Sequence, residues 1–100
     1  MNISAPAFAI SSMSERPTRL LYFAWLRERM GTAEEEVVLP ESVRTVADLL
    51  DFLANRNEMA EAALADRAII RVALDKKVAS ADASIGNASE IALFPPMTGG

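Results

Sequence analysis

A chain of 100 residues with neither cysteine nor histidine has few groups with which to do chemistry. Without cysteine there is no thiol nucleophile, no thiolate metal site and no disulfide. Without histidine the usual general base and the commonest zinc ligand are missing as well. A conventional active site made from this chain alone is not expected, and no metal ligand set is expected either. What remains is the last stretch, Phe94-Pro95-Pro96-Met97-Thr98-Gly99-Gly100. Two prolines cannot extend a strand ladder, and they stiffen the backbone as it leaves the last element. From Pro95 onward the chain can reach about 20 Å at about 3.3 Å per residue, far enough to enter another protein's active site. Gly99 and Gly100 carry no side chain and can thread a channel too narrow for other residues. The group such an arrangement presents is the carboxylate of Gly100. Its reference pKa is about 3.5, so it is ionised at neutral pH, is a poor electrophile, and must be activated before it can react.

The elements that must position this tail can be read from periodicity. Arg19-Leu20-Leu21-Tyr22-Phe23-Ala24 is a nearly continuous apolar and aromatic run, which predicts a strand buried on both faces. Trp25–Met30 reads as a short helix stopped by Gly31. Glu34–Leu39, with Val37 and Val38 before Pro40, predicts an edge strand. The main helix follows, with Thr45 as N-cap, Asp48 forming an imperfect capping box, and Val46, Leu49, Leu50 and Leu53 on one apolar stripe. Asp48, Asp51 and Asn55 take the other side. A further short helix is expected over 58–65, then a strand over 68–74. Asp75-Lys76-Lys77 should turn into a short strand at Val78-Ala79, Gly86-Asn87 should turn again, and Ile91-Ala92-Leu93-Phe94 is the last strand. Strand-rich halves on either side of one amphipathic helix argue for an α+β domain, the helix lying across one mixed sheet.

Composition narrows the class further. The chain is 51% hydrophobic and 24% charged, with net charge −4, the pattern of a folded soluble domain. Arg and Lys are scattered, so no nucleic-acid partner is expected. No apolar run approaches a membrane span, so no membrane partner is expected and the location is read as cytoplasmic. A mildly acidic small protein suits a partner with a basic groove. Residues 1–17 are small, polar and proline-containing around one apolar patch (Ala5, Ala7, Phe8, Ala9, Ile10). They match neither a secretory signal nor an Arg-rich presequence. They read as a flexible, dispensable extension, or as a start set too early, with Met13 the alternative first residue. The organisation expected is therefore an extension over 1–17, a domain over 18–94 and an extended tail over 95–100.

Tyr22-Phe23-Ala24, Leu26-Arg27-Glu28, the Gly31 stop and the Phe94-Pro95-Pro96-Met97-Thr98-Gly99-Gly100 end together resemble the sulfur-carrier subunits of molybdopterin synthases, a MoaD-like family among the ubiquitin-like proteins. The likeness covers about residues 18–100, in order. Residues 1–17 have no counterpart in it. A Gly-Gly end alone is shared by all ubiquitin-like proteins, the proline pair can simply end a strand, and Tyr22, Phe23 and Phe94 can all be core. The joint occurrence of the stiff exit, the bare terminus and the aromatic first strand is what is specific.

The resemblance implies a β-grasp fold. It implies that an ATP-dependent enzyme adenylates Gly100 and that a sulfur donor then displaces AMP, leaving a thiocarboxylate. No cofactor would be held permanently; ATP belongs to the activating enzyme, and Gly100 carries the transferable sulfur. The tail residues Pro95, Pro96, Met97, Thr98 and Gly99 would enter the large subunit of the synthase, in a heterotetramer with two of each chain. Sulfur would pass there to cyclic pyranopterin monophosphate (precursor Z), on the way to molybdenum cofactor. Phe23, Val78 and Phe94 match the family positions that pack on the large subunit. Arg27 and Arg29 either pair with acids of a partner or form a solvated helix face. The competing readings are a carrier for thiazole synthesis or tRNA thiolation, a protein modifier conjugated to lysines, and a passive interaction module.

Overall fold

The computed structural model describes residues 16–96. Strand β1 (Arg16–Tyr22) alternates strictly: Thr18, Leu20 and Tyr22 are buried, while Pro17 and Arg19 are exposed and Leu21 is half-buried. This corrects the expectation of a strand covered on both faces. The helices contribute their buried residues to a single core cluster with Leu20 and Tyr22, so among the described residues the opposite face of the sheet carries no helix layer. The strand also begins earlier than the pattern indicates, because Arg16 and Pro17 pair with Leu39 and Val38 of β2 (Glu34–Leu39). Of the extension expected over 1–17, Arg16 and Pro17 thus belong to β1, while residues 1–15, and Met97, Thr98, Gly99 and Gly100, lie outside the described residues.

Helix α1 (Trp25–Met30) ends at Gly31, whose φ of 82° is the left-handed value that favours glycine; its amide donates to the Arg27 carbonyl at 3.0 Å. Helix α2 (Val46–Ala54) starts at Thr45 with both capping-box hydrogen bonds in place and buries Val46, Leu49, Leu50 and Leu53, the stripe expected from spacing. Helix α3 (Glu58–Ala63) is capped by Asn57, whose side chain accepts from the Ala60 amide at 2.7 Å. All three expected helices thus feed the core.

The strand expected over 68–74 is shorter. Arg67–Ile69 forms a turn of 3₁₀ helix and β3 is only Arg71–Leu74. Asp66 accepts from the Ala68 amide at 3.2 Å, and this local bond competes successfully with a ladder. Strand β4 (Lys77–Ala79) returns through Asp75 and Lys76, both at positive φ, the backbone of a two-residue type I′ hairpin. The Asp75 carboxylate ties this hairpin to the start of β5 (Glu90–Phe94), accepting from the amides of Ser89 and Glu90 at 3.1 and 3.0 Å.

The sheet order is β2-β1-β5-β3-β4. Only β1 and β5 run parallel; the other pairs are antiparallel. A parallel central pair formed by the first and last strands needs a long crossover, and the helices lie within it. A mixed five-stranded sheet with helices packed on one face is the α+β, β-grasp arrangement. It brings the end of β5 to the sheet's centre, beside the end of β1.

Candidate functional site at the root of the C-terminal tail

The last ladder pair of β5 is Phe94 with Arg71, and Pro95 and Pro96 follow, both half-buried. Beside them, Tyr22 pairs with Leu93, and the Phe23 amide donates to the Leu93 carbonyl at 3.1 Å. Tyr22 and Leu93 are core residues, so Phe23 and Phe94, one position further along each chain, fall on the side without helices. Phe23 is 47% exposed and Phe94 half-buried. Val78 is 69% exposed and pairs with Ala73, which pairs in turn with Ala92, and Ala92 with Leu21. The register therefore sets Val78, Ala73, Ala92 and Leu21 in one row across the open face, a step from Phe94. Leu21, Ala73 and Ala92 belong to this apolar half of the sheet and were not singled out from sequence. Alternation outward from Tyr22 would have found Leu21, but the other two need the strand pairing.

Toward the start of β1 and β5 the same face becomes charged, with Arg19 paired to Glu36 on one side and Glu90 on the other. Where the tail leaves, the face is thus apolar at its centre, with Arg71 beside Phe94 and Glu34 beside Leu21, and it is charged at the other end. A cleft bounded by Pro17, Thr18, Leu39, Arg44 and Ile85 lies at that far end, away from the tail root. On α1, Arg29 lies over the Trp25 ring at 5.5 Å, a cation–π contact, and Arg27 is exposed. Among the described residues no group of three or more acidic side chains is gathered as a metal site requires, and no helix is long and apolar enough to cross a membrane. An open apolar sheet end from which a proline-stiffened chain emerges can dock a partner and direct a peptide into it.

These features agree with the comparisons to known proteins. The model of the ThiS family matches residues 20–100, and the chain belongs to that family. The molybdopterin synthase sulfur carrier subunit of Escherichia coli (strain K12) is 33% identical over 82 residues, covering 82% of this chain and 98% of that protein. The protein of the same name from Haemophilus influenzae is 30% identical over 81 residues, covering 81% and 96%. Among solved structures, SAMP1 from Haloferax volcanii superposes with a TM-score of 0.62 at 29% identity, covering 84% of this chain and 99% of that one.

Proposed function

We propose that this chain is the sulfur-carrier subunit of a molybdopterin synthase and that its working group is the carboxylate of Gly100. The observation that carries the reading is the similarity to the Escherichia coli sulfur carrier subunit along 98% of that protein's length. The apolar sheet end around Phe23, Val78 and Phe94 supports it, because a carrier needs a docking surface at the root of the segment it delivers.

In this reading an activating enzyme joins the Gly100 carboxylate to AMP from ATP, with loss of pyrophosphate. A sulfur donor then attacks the carbonyl carbon; the carbon–sulfur bond forms, the bond to AMP breaks, and a thiocarboxylate remains. The charged carrier docks on the large subunit, and residues 95–100 carry the sulfur to the cyclic pyranopterin monophosphate. Tethered delivery replaces diffusion of a reactive sulfide by positioning. The large subunit supplies the catalytic side chains, in an assembly of two chains of each kind.

Incubation with ATP, the activating enzyme and a sulfur donor should raise the intact mass by about 16 Da, the replacement of one oxygen by sulfur at the activated acyl group. Deleting Gly100 should abolish both this gain and cofactor synthesis while leaving the melting temperature unchanged. A truncated chain that still rescued cofactor synthesis would overturn the proposal, and higher-mass adducts on other proteins would point to a modifier instead.

A further inference from the structure

The chain leaves β1 through a backbone conformation that L-residues rarely hold. Ala24 has φ 57° and ψ −134°, close to the first central position of a type II′ turn, where glycine is the usual occupant. The Leu26 amide donates to the Phe23 carbonyl at 3.1 Å and closes that turn, and the Arg27 amide donates to the Ala24 carbonyl at 3.1 Å and begins α1. The Phe23 amide is held by Leu93, so the turn is fastened to the last strand one residue before Phe94. A methyl group at this φ is strained, and it makes no contribution to the core that would offset the cost. Ala24 is exposed, stands outside the core and its partly buried surroundings, and as N-cap of α1 gives the helix no side-chain acceptor. Glycine would fold here more easily. Strain held by a non-glycine residue concentrates at functional surfaces, and this residue lies between Phe23 and Trp25 at the end of the sheet where the tail departs.

We infer that the Ala24 methyl is a specificity-determining contact of the docking surface, seated with Phe23 in a shallow apolar depression of the synthase large subunit. The inference rests on the carrier reading above. The turn aims the methyl outward from a backbone pinned at both ends, so the partner meets a fixed feature whose ordering cost was met on folding. A depression that fits a methyl group also tells this carrier from one with glycine at the same place.

The test pairs folding with docking in the full-length chain. Ala24→Gly should leave the denaturant midpoint unchanged or raised, while its Kd for the purified large subunit, read by calorimetry, weakens about fourfold. That is about 0.8 kcal/mol at 1.4 kcal/mol per decade, the scale of one buried methyl group. A chemically synthesised chain with D-alanine at position 24 separates placement from rigidity. It favours the same positive φ but carries its methyl where the α-hydrogen was, so it should bind no better than the glycine variant. Wild-type affinity in Ala24→Gly would overturn the inference, as would a D-alanine chain that regains it, since rigidity alone would then be the cause. A fall in the Ala24→Gly midpoint would also overturn it, by showing that the methyl serves the fold. Absence of binding by the unaltered chain would instead sink the carrier reading itself.

Discussion

The phenol of Tyr22 ends on a carboxylate inside the domain. Its ring is buried, its hydroxyl donates to Glu35 Oε2 at 2.6 Å, and Arg56 grips both oxygens of the same carboxylate at 3.2 and 2.8 Å. Bidentate, charge-assisted contacts are the strong kind, and these lock β1 and β2 to the residues that follow α2. Burial pushes the Tyr22 phenol well above its ordinary range, with the neighbouring Glu35 adding to the effect. Glu35 moves the other way, its carboxyl lowered first by the Arg56 hydrogen bonds. A lowered folded pKa contributes stability above the unfolded carboxylate range, and that stability is lost as pH falls through the folded value. Tyr22→Phe should therefore cost about 2 kcal/mol in denaturant unfolding at neutral pH, the worth of a hydrogen bond to a charged group. Arg56→Gln should flatten the fall in stability as pH drops below the ordinary carboxylate range; an acid limb of wild-type steepness in that variant would show that Glu35 does not govern it.

At the scale of elements, short side-chain bonds at the ends decide where structure starts. Thr45 Oγ1 accepts from the Asp48 amide at 3.1 Å, and Asp48 Oδ2 returns the bond to the Thr45 amide at 3.2 Å. Asp48 Oδ2 also accepts from the Arg44 amide at 3.1 Å, and these backbone bonds hold its carboxyl below the ordinary range. Thr45→Ala should lower unfolding free energy by about 1–2 kcal/mol, because it frees an amide of the first turn and loosens a helix whose whole stripe is core. Thermal unfolding followed by circular dichroism checks this, and an unchanged midpoint would mean that packing alone sets the helix start. The same principle at Asp66 turns an aliphatic run into a 3₁₀ turn and leaves Ile69 exposed.

At the scale of the whole fold, the described residues form a sheet with one face committed to its own core and the other divided between charge and apolar surface. Phe94 stands at the junction of fold and tail, half-buried on the open face beside Arg71. Phe94→Ala should weaken calorimetric binding to the large subunit by on the order of 2 kcal/mol, as a central aromatic anchor does. Its unfolding free energy should fall by less than the roughly 3–5 kcal/mol typical of a fully buried phenylalanine. Unchanged affinity with a core-sized loss of stability would assign Phe94 to the fold instead.

Much of this was legible in local pattern. The Trp25–Met30 helix and its glycine stop, the capping box and stripe of α2, and the Asp75-Lys76 turn follow from chemistry acting over a few residues, so sequence alone determined them. The extent of β3 was missed because hydrophobicity cannot tell a strand from a turn won by one aspartate bond. The two faces of β1 were misjudged because an apolar residue such as Leu21 looks the same whether a helix or a partner covers it. Only the tertiary structure decided that Phe23, Val78 and Phe94, far apart in sequence, share one open face. That follows from the parallel pairing of β1 with β5 and the antiparallel pairing of β5 with β3 and of β3 with β4. Register is a long-range property, and no local spacing encodes which strand lies beside which.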